Sequence, residues 1–259
     1  MHQTLKKYTY ILALVFGLVF CGNLHAQDIL SQMQTGKDVD VRFTDQAMGG
    51  GFLHSQGWGL FFRRAKIKSI FKKYFWEIET ATMHNPKEYK ISNQNYPDAS
   101  GYYFGKLNGV QMFRAGFGCN RMVWRKNDER CVEIDAVYAA GLSLAVTKPV
   151  YLEIIESTPN PEEFILSTEK YNPNTDNPGN IYGRASIFDG LGELSVYPGG
   201  YGRLGLNFDY ANRHNTVKAI EVGAELDLYP KVIPIMAFNP NSQYFLNLYI
   251  SFSIGKRWF

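Results

Sequence analysis

Beyond its first 26 residues this chain has no long apolar run, and a helical membrane protein needs about 20 consecutive apolar residues for each span. That class is excluded. No linker-like Pro/Ser/Gly tract or charge block divides the chain, so a single domain is the simplest organisation. An excess of either charge is lacking: 27 Lys and Arg stand against 24 Asp and Glu for a formal net charge of +3, and the basic residues form no stripe of the kind nucleic-acid binding uses. Of the five histidines, His2 and His25 fall in the leader, and the rest make no i, i+4 pair and no short cluster with cysteine. No metal site and no cofactor are expected. Gly49-Gly50-Gly51 and Gly199-Gly200 read as turn or strand-kink glycines, because no helix opening on Lys-Ser/Thr follows either.

The leader itself has the parts of a secretory signal. Lys6 and Lys7 supply the positive start, Tyr10 to Phe20 the apolar core and Leu24-His25-Ala26 a cleavage site, so that Gln27 opens the mature chain. Cys21 raises a lipoprotein alternative, but Phe20 stands where that signal wants a small residue. Cys119 and Cys131 remain in the mature chain, on either side of the turn-like Lys126-Asn127-Asp128-Glu129. In an oxidising compartment they could pair across a hairpin, or stand separately on a sheet wall; strand register decides.

Period-2 alternation recurs in segments of about ten residues, as in transmembrane barrels. Between Ala219 and Leu228, Ile220, Val222, Ala224, Leu226 and Leu228 share one face, and Glu221, Gly223, Glu225 and Asp227 the other. The same pattern sets Glu133 and Asp135 against Ile134 and Ala136, Glu77 and Glu79 against Trp76 and Ile78, Arg114 against Phe113 and Ala115, and Arg203 and Asp209 against Leu204 and Phe208. The expected fold is an all-β, closed antiparallel transmembrane barrel of about eight to ten strands with long loops, occupying residues 27–259. A sandwich could carry such alternation too, but aromatics near segment ends, including Tyr229, Tyr244, Trp258 and Phe259, favour the barrel. The final strand, ending on Phe259, is the kind of signal read by barrel-insertion machinery.

Strand candidates include Gly49 to Arg64, Val150 to Ile155 and Ile181 to Phe188. Splitting the first at Ser55-Gln56-Gly57 gives ten strands, and treating Val150 to Ile155 as loop gives eight. The ten-strand tracing is preferred. It puts His84 to Lys106 and Pro230 to Ser242 outside the cell and, awkwardly, the long Glu156 to Asn180 segment in the periplasm, where turns are usually short.

Several blocks resemble a group of uncharacterised outer-membrane proteins of Bacteroidetes-type bacteria. They include Gly59-Leu60-Phe61-Phe62-Arg63-Arg64, Trp76-Glu77-Ile78-Glu79, His84-Asn85-Pro86-Lys87-Glu88, Lys148-Pro149-Val150-Tyr151, Pro234-Ile235-Met236-Ala237 and Gly255-Lys256-Arg257-Trp258. The resemblance implies an outer-membrane barrel and carries no activity or catalytic residue.

Inward carboxylates Glu77, Glu79, Glu133, Asp135, Asp209, Glu221, Glu225 and Asp227, with Arg63, Arg114 and Arg203 as partners, would make a charge network that plugs a narrow lumen. The expected role is therefore structural or interactive within the envelope, with outer-membrane lipid and an envelope protein as partners. A narrow cation-favouring path is the alternative. A rim enzyme built on His84, with Glu88, Ser92, Asp98 and Ser100 nearby, is third, but no spacing specifies a triad, and an enzyme is not expected. The basic cluster Arg63, Arg64, Lys66, Lys68, Lys72 and Lys73 would contact lipid phosphates or a partner at the periplasmic rim.

Overall fold

A computed structural model of the chain describes residues 43–69, 71–93, 96, 99–125, 132–157, 164–211 and 215–259. The signal segment and Cys131 lie outside the described residues. In chain order the strands are β1 (Asp45–His54), β2 (Gly57–Ser69), β3 (Lys72–Met83), β4 (Lys90–Ile91), β5 (Tyr102–Tyr103), β6 (Asn108–Trp124) and β7 (Glu133–Pro149). They continue as β8 (Tyr151–Ser157), β9 (Phe164–Lys170), β10 (Ile181–Arg184), β11 (Ser195–Asp209), β12 (Thr216–Leu228) and β13 (Tyr244–Trp258). Eight of them close into one barrel in the order β1-β13-β12-β11-β7-β6-β3-β2. Every neighbouring pair is antiparallel, and β1 seals the ring by pairing with both β13 and β2.

The ten-strand tracing is corrected to eight. Ser55 and Gln56 do form a turn that divides the first candidate. The segments at Val150 to Ile155 and Ile181 to Phe188 instead contribute β8 and β10 to a separate sheet, ordered β10-β8-β9. Their alternation reflects burial against Tyr102, Leu152, Ile154, Tyr171 and Ile181, a core outside the barrel. Period 2 reports that one face is covered, not what covers it. With eight strands, the long connections 84–107, 150–194 and 229–243 all leave one end of the barrel. The strand ends that border residues 70–71, 125–132 and 210–215 lie at the other, so the 156–180 segment falls among the long connections and not among the short ones.

Outside, the wall is apolar. Phe117 (78 % exposed), Leu142 (76 %), Leu248 (68 %) and Ile254 (69 %) face outward with Leu60, Ile78, Phe113 and Leu204. Such a band around the whole ring far exceeds the few hundred Å² that a soluble monomer leaves bare, and it is the ordinary exterior of a barrel set in lipid. Trp58 and Tyr244 stand outward at the long-loop rim, and Tyr74, Trp124, Tyr210 and Trp258 at the opposite one, where amphipathic rings favour the interface. Among the described residues no helix is long and apolar enough to cross a membrane, which says nothing of the strands.

Inside, large rings need room in a narrow barrel. Tyr201 on β11 crosses toward β6 over Gly116, where a Cβ would come 2.4 Å from its Oη. Tyr249 on β13 lies in the same way over Gly205, at 2.5 Å. These glycines let Tyr201 reach Glu77 across the lumen and Tyr249 reach Glu221 on the neighbouring strand. Gly116→Ala is therefore expected to displace Tyr201 and cost about 1–3 kcal/mol. Gly179→Ala, with open space around it, should be neutral. Urea unfolding in detergent micelles, followed by tryptophan fluorescence, checks both.

Candidate functional site

The candidate site is the lumen. Within it, strand register sets the first contacts: Arg63 on β2 faces Glu77 on β3, Glu79 on β3 faces Arg114 on β6, and Arg203 on β11 faces Glu225 on β12. Ring closure adds partners from the far wall. Arg63 reaches Glu221 at 2.8 Å while holding Glu77 at 2.9 Å. Arg114 binds Asp227 through both Nε and Nη2, at 2.9 and 2.6 Å, and Glu225 at 2.9 Å. Arg203 donates to Glu79 at 2.6 Å and Glu225 at 3.1 Å and stands 3.5 Å from Glu77, joining the two groups into one network.

All three guanidiniums and all five carboxylates are almost fully buried. Charges taken out of water are tolerable only when paired and hydrogen-bonded, and bidentate arginine contacts supply both. Two carboxylates exceed the arginines in number, and neutral donors meet the difference. Tyr201 Oη donates to Glu77 at 2.8 Å, Tyr249 Oη to Glu221 at 2.6 Å and Ser143 Oγ to Asp227 at 3.0 Å. Aromatic faces complete the lining: the Arg63 guanidinium lies 4.2 Å from the Phe75 centroid and that of Arg203 lies 4.7 Å from Tyr249.

Glu133, Asp135 and Asp209 do not join this central network. They sit toward the short-turn end, where Lys73 binds Glu133 (2.6 Å) and Asp135 (3.1 Å), and Arg257 binds Asp209 (2.6 Å). The basic cluster accordingly needs correction. Arg63 and Lys73 are inward and buried, because strand parity turns them away from Arg64 and Lys72, and they cannot touch lipid phosphates. Arg64, Lys66, Lys68 and Lys72 do point outward near the short-turn rim, Arg64 beside Asp45 at 3.4 Å. Cys119 faces outward on β6 and is a free thiol, while the pairing partner considered for it, Cys131, lies outside the described residues.

At the long-loop end a second layer covers the network. The connection 229–243 folds into the barrel mouth, burying Ile233, Ile235 and Met236 against Phe52, Phe61, Met83, Met112 and Phe245. Asn241 Oδ1 accepts the backbone N–H of Ile235 (2.8 Å) and Met236 (3.0 Å), and the Ile235 carbonyl accepts the N–H of Leu107 (2.9 Å). Sequence reasoning missed this plug and the tyrosine donors. The available signal was an apolar Val232-Ile233-Pro234-Ile235-Met236 run in a segment otherwise read as an outer loop.

Beside the plug, a rim cleft of about 290 Å³ is lined by His84, Asn85, Ser242 and Tyr244 among others. It holds no assembled triad. Glu88 is committed to Lys106 at 2.6 Å, with His84 Nδ1 at 3.5 Å. Ser100 Oγ instead bonds the Arg184 backbone, and Asp98 lies outside the described residues. Among the described residues no group of His, Cys, Asp and Glu side chains has a metal-binding arrangement.

No protein-family model matches the chain. No curated protein matches it either. Among solved structures, the chain is similar to the neisserial surface protein NspA, at 8 % identity and a TM-score of 0.38, over 83 % of this chain and 97 % of that one. It is likewise similar to Ail, the attachment invasion locus protein of Yersinia pestis, at 7 % identity and a TM-score of 0.38, over 84 % and 100 %. A complex of Ail with the heparin analogue sucrose octasulfate gives 10 % identity and a TM-score of 0.39, over the same shares.

Two consequences are measurable. Arg114→Met leaves Glu79, Glu225 and Asp227 facing one another without their shared cation and should cost about 3–5 kcal/mol in urea unfolding, whereas Arg64→Ala at the exposed Asp45 pair should cost less than about 1 kcal/mol. In the loop after β3, burial would raise the Glu88 carboxyl, but hydrogen bonds from His84, Lys106 and the Asn85 N–H outweigh it and hold it at about 2, against an ordinary 4.5. Because the folded value lies below the unfolded one, this support is complete above about pH 4.5 and is lost as pH falls toward 2. Amide exchange across residues 84–93 should therefore accelerate over that window, and Glu88→Gln should abolish the pH dependence.

Proposed function

We propose that this chain is an outer-membrane β-barrel protein of a Gram-negative cell, exported by a cleaved signal of residues 1–26, with a structural or interaction role in the envelope and a lumen closed to solutes. The observation that carries it is double closure: a buried arginine–carboxylate network crosses the lumen, and the apolar segment Ile233–Met236 fills the mouth above it. A transport path would need a continuous wet route, whereas here the inward charges are satisfied by one another. Short turns at one end and long connections at the other support periplasmic and extracellular ends respectively, with the start of β1 and the end of β13 on the periplasmic side. The sequence resemblance to Bacteroidetes-type outer-membrane proteins supports the same location. The strand ending at Phe259, which is 75 % exposed, is the segment that insertion machinery would read. Outside the membrane, the β10-β8-β9 sheet and the β4-β5 pair give the barrel a folded headpiece, a surface on which an envelope partner can dock.

The alternative, a narrow cation-favouring path, draws on the two carboxylates in excess of the central arginines. Conductance separates the two readings. Heat-modifiable protein purified from outer membranes should add no conductance to planar lipid bilayers, and a variant lacking Ile233–Met236 should remain silent because the arginine network persists. Steady cation-selective openings of the intact protein, reduced by Glu221→Gln with Glu225→Gln, would favour the path.

A further inference from the structure

Between β10 and β11 the chain runs over residues 186–194 through a short 3₁₀ turn, Leu191–Glu193, and none of these residues is buried. Four are large and apolar: Ile187 (68 % exposed), Phe188 (77 %), Leu191 (51 %) and Leu194 (46 %). Residues of this kind would normally fold inward in an aqueous loop. What prevents it is where the segment is tethered. On β7, Ser143, Ala145 and Thr147 are buried toward the lumen, so Leu142, Leu144, Val146 and Lys148 alternate to the outer face. Lys148 Nζ donates to the Ile187 carbonyl, which fixes the segment against the outside of the wall. Gly190, at φ +82°, turns the chain beneath the Tyr151 ring, and Glu193 accepts from Tyr151 Oη (2.8 Å) and Lys170 Nζ (2.9 Å). Glu193 is thus held toward β8 and β9, while Ile187, Phe188, Leu191 and Leu194 stay exposed.

Below, the segment continues into the lipid-facing band. Leu194 precedes β11, whose Val196 is 54 % exposed and paired in register with Val146. Elsewhere this rim carries outward Trp58 on β2 and Tyr244 on β13, but β7 above Tyr138 and β11 above Phe208 carry no outward aromatic. Phe188 stands over that gap.

We infer that residues 186–194 form a membrane-seated foot, with Ile187, Phe188, Leu191 and Leu194 inserted among the acyl chains of the outer leaflet at the β7–β11 sector. Continuity with the lipid-facing wall carries the inference; Glu193 is paired with Lys170, and the segment's other carboxylate, Asp189, has to stay at the headgroup level while the apolar side chains insert. The foot rests on the transmembrane reading of the barrel and anchors the headpiece at a fixed height and tilt.

Nitroxide labels test it in phosphatidylcholine liposomes, in protein carrying Cys119→Ser and Cys131→Ser. Labels are placed singly through Phe188→Cys, Leu142→Cys on the wall and Gly179→Cys on an open outer turn. The oxygen-to-nickel-chelate collision ratio at position 188 is expected to match that at 142 and to be several-fold above that at 179. A ratio like that of 179 overturns the foot while leaving the barrel reading intact. A label at 188 shielded from both reagents also overturns it, in favour of a protein partner or a second copy. A water-like ratio at 142 removes the transmembrane reading, and the foot with it.

Discussion

Pairing of buried charge is the constraint on which the rest of this protein depends. An eight-stranded barrel is narrow enough for side chains to fill, and here the filling is ionic. Once Glu77, Glu79, Glu221, Glu225 and Asp227 point inward, each must meet a cation or a hydrogen-bond donor, because no bulk water reaches them. Arg63, Arg114 and Arg203 meet that demand only if opposite walls stand at the right height relative to each other. The network therefore fixes the closure of the ring as much as the backbone ladder does.

Other features follow from that demand. Tyr201 and Tyr249 supply the donors that the arginines cannot, and they reach the carboxylates because Gly116 and Gly205 leave space beneath their rings. The smaller cluster of Lys73 with Glu133 and Asp135, and the Arg257–Asp209 pair, apply the same rule near the short-turn end. Toward the long-loop end the solution changes from ionic to apolar, as the 229–243 connection brings Ile233, Ile235 and Met236 into the mouth. Two unlike layers thus lie one above the other in one lumen. Charge outside the wall is used differently: Arg64 near Asp45 stays half-exposed, where pairing contributes little to stability.

The outer end is a folded structure and not a set of loose loops. The sheet of β8, β9 and β10 has its own core around Leu152, Ile154 and Ile181; the Val150 N–H just before β8 donates to the Leu107 carbonyl, and the Leu107 and Ala237 N–H groups tie the loop before β6 to the plug segment. In the proposed orientation, anything that binds at the cell surface meets this headpiece before it meets the barrel.

Alternation was legible in the sequence, because in a strand each residue's face is set by parity alone. Hence the inward position of Glu221, Glu225 and Asp227 and the outward position of Val222 and Leu226 could be read from spacing. Cross-strand neighbours inside a hairpin, such as Arg63 and Glu77, were nearly legible, since a short turn fixes their register. Parity also placed Arg63 and Lys73 inside, although their company of lysines had pointed to the surface. What parity could not convey was which sheet an alternating segment joins: β8 and β10 look like barrel strands until their core is seen. Nor could it pair Arg63 with Glu221 or Arg114 with Asp227, residues 158 and 113 positions apart. Those contacts cross the lumen between strands that share no hydrogen bond, so they exist only once the ring has closed. The sequence by itself determined which side chains enter the barrel; closure decided which of them meet, because distance across a lumen depends on the geometry of all eight strands together.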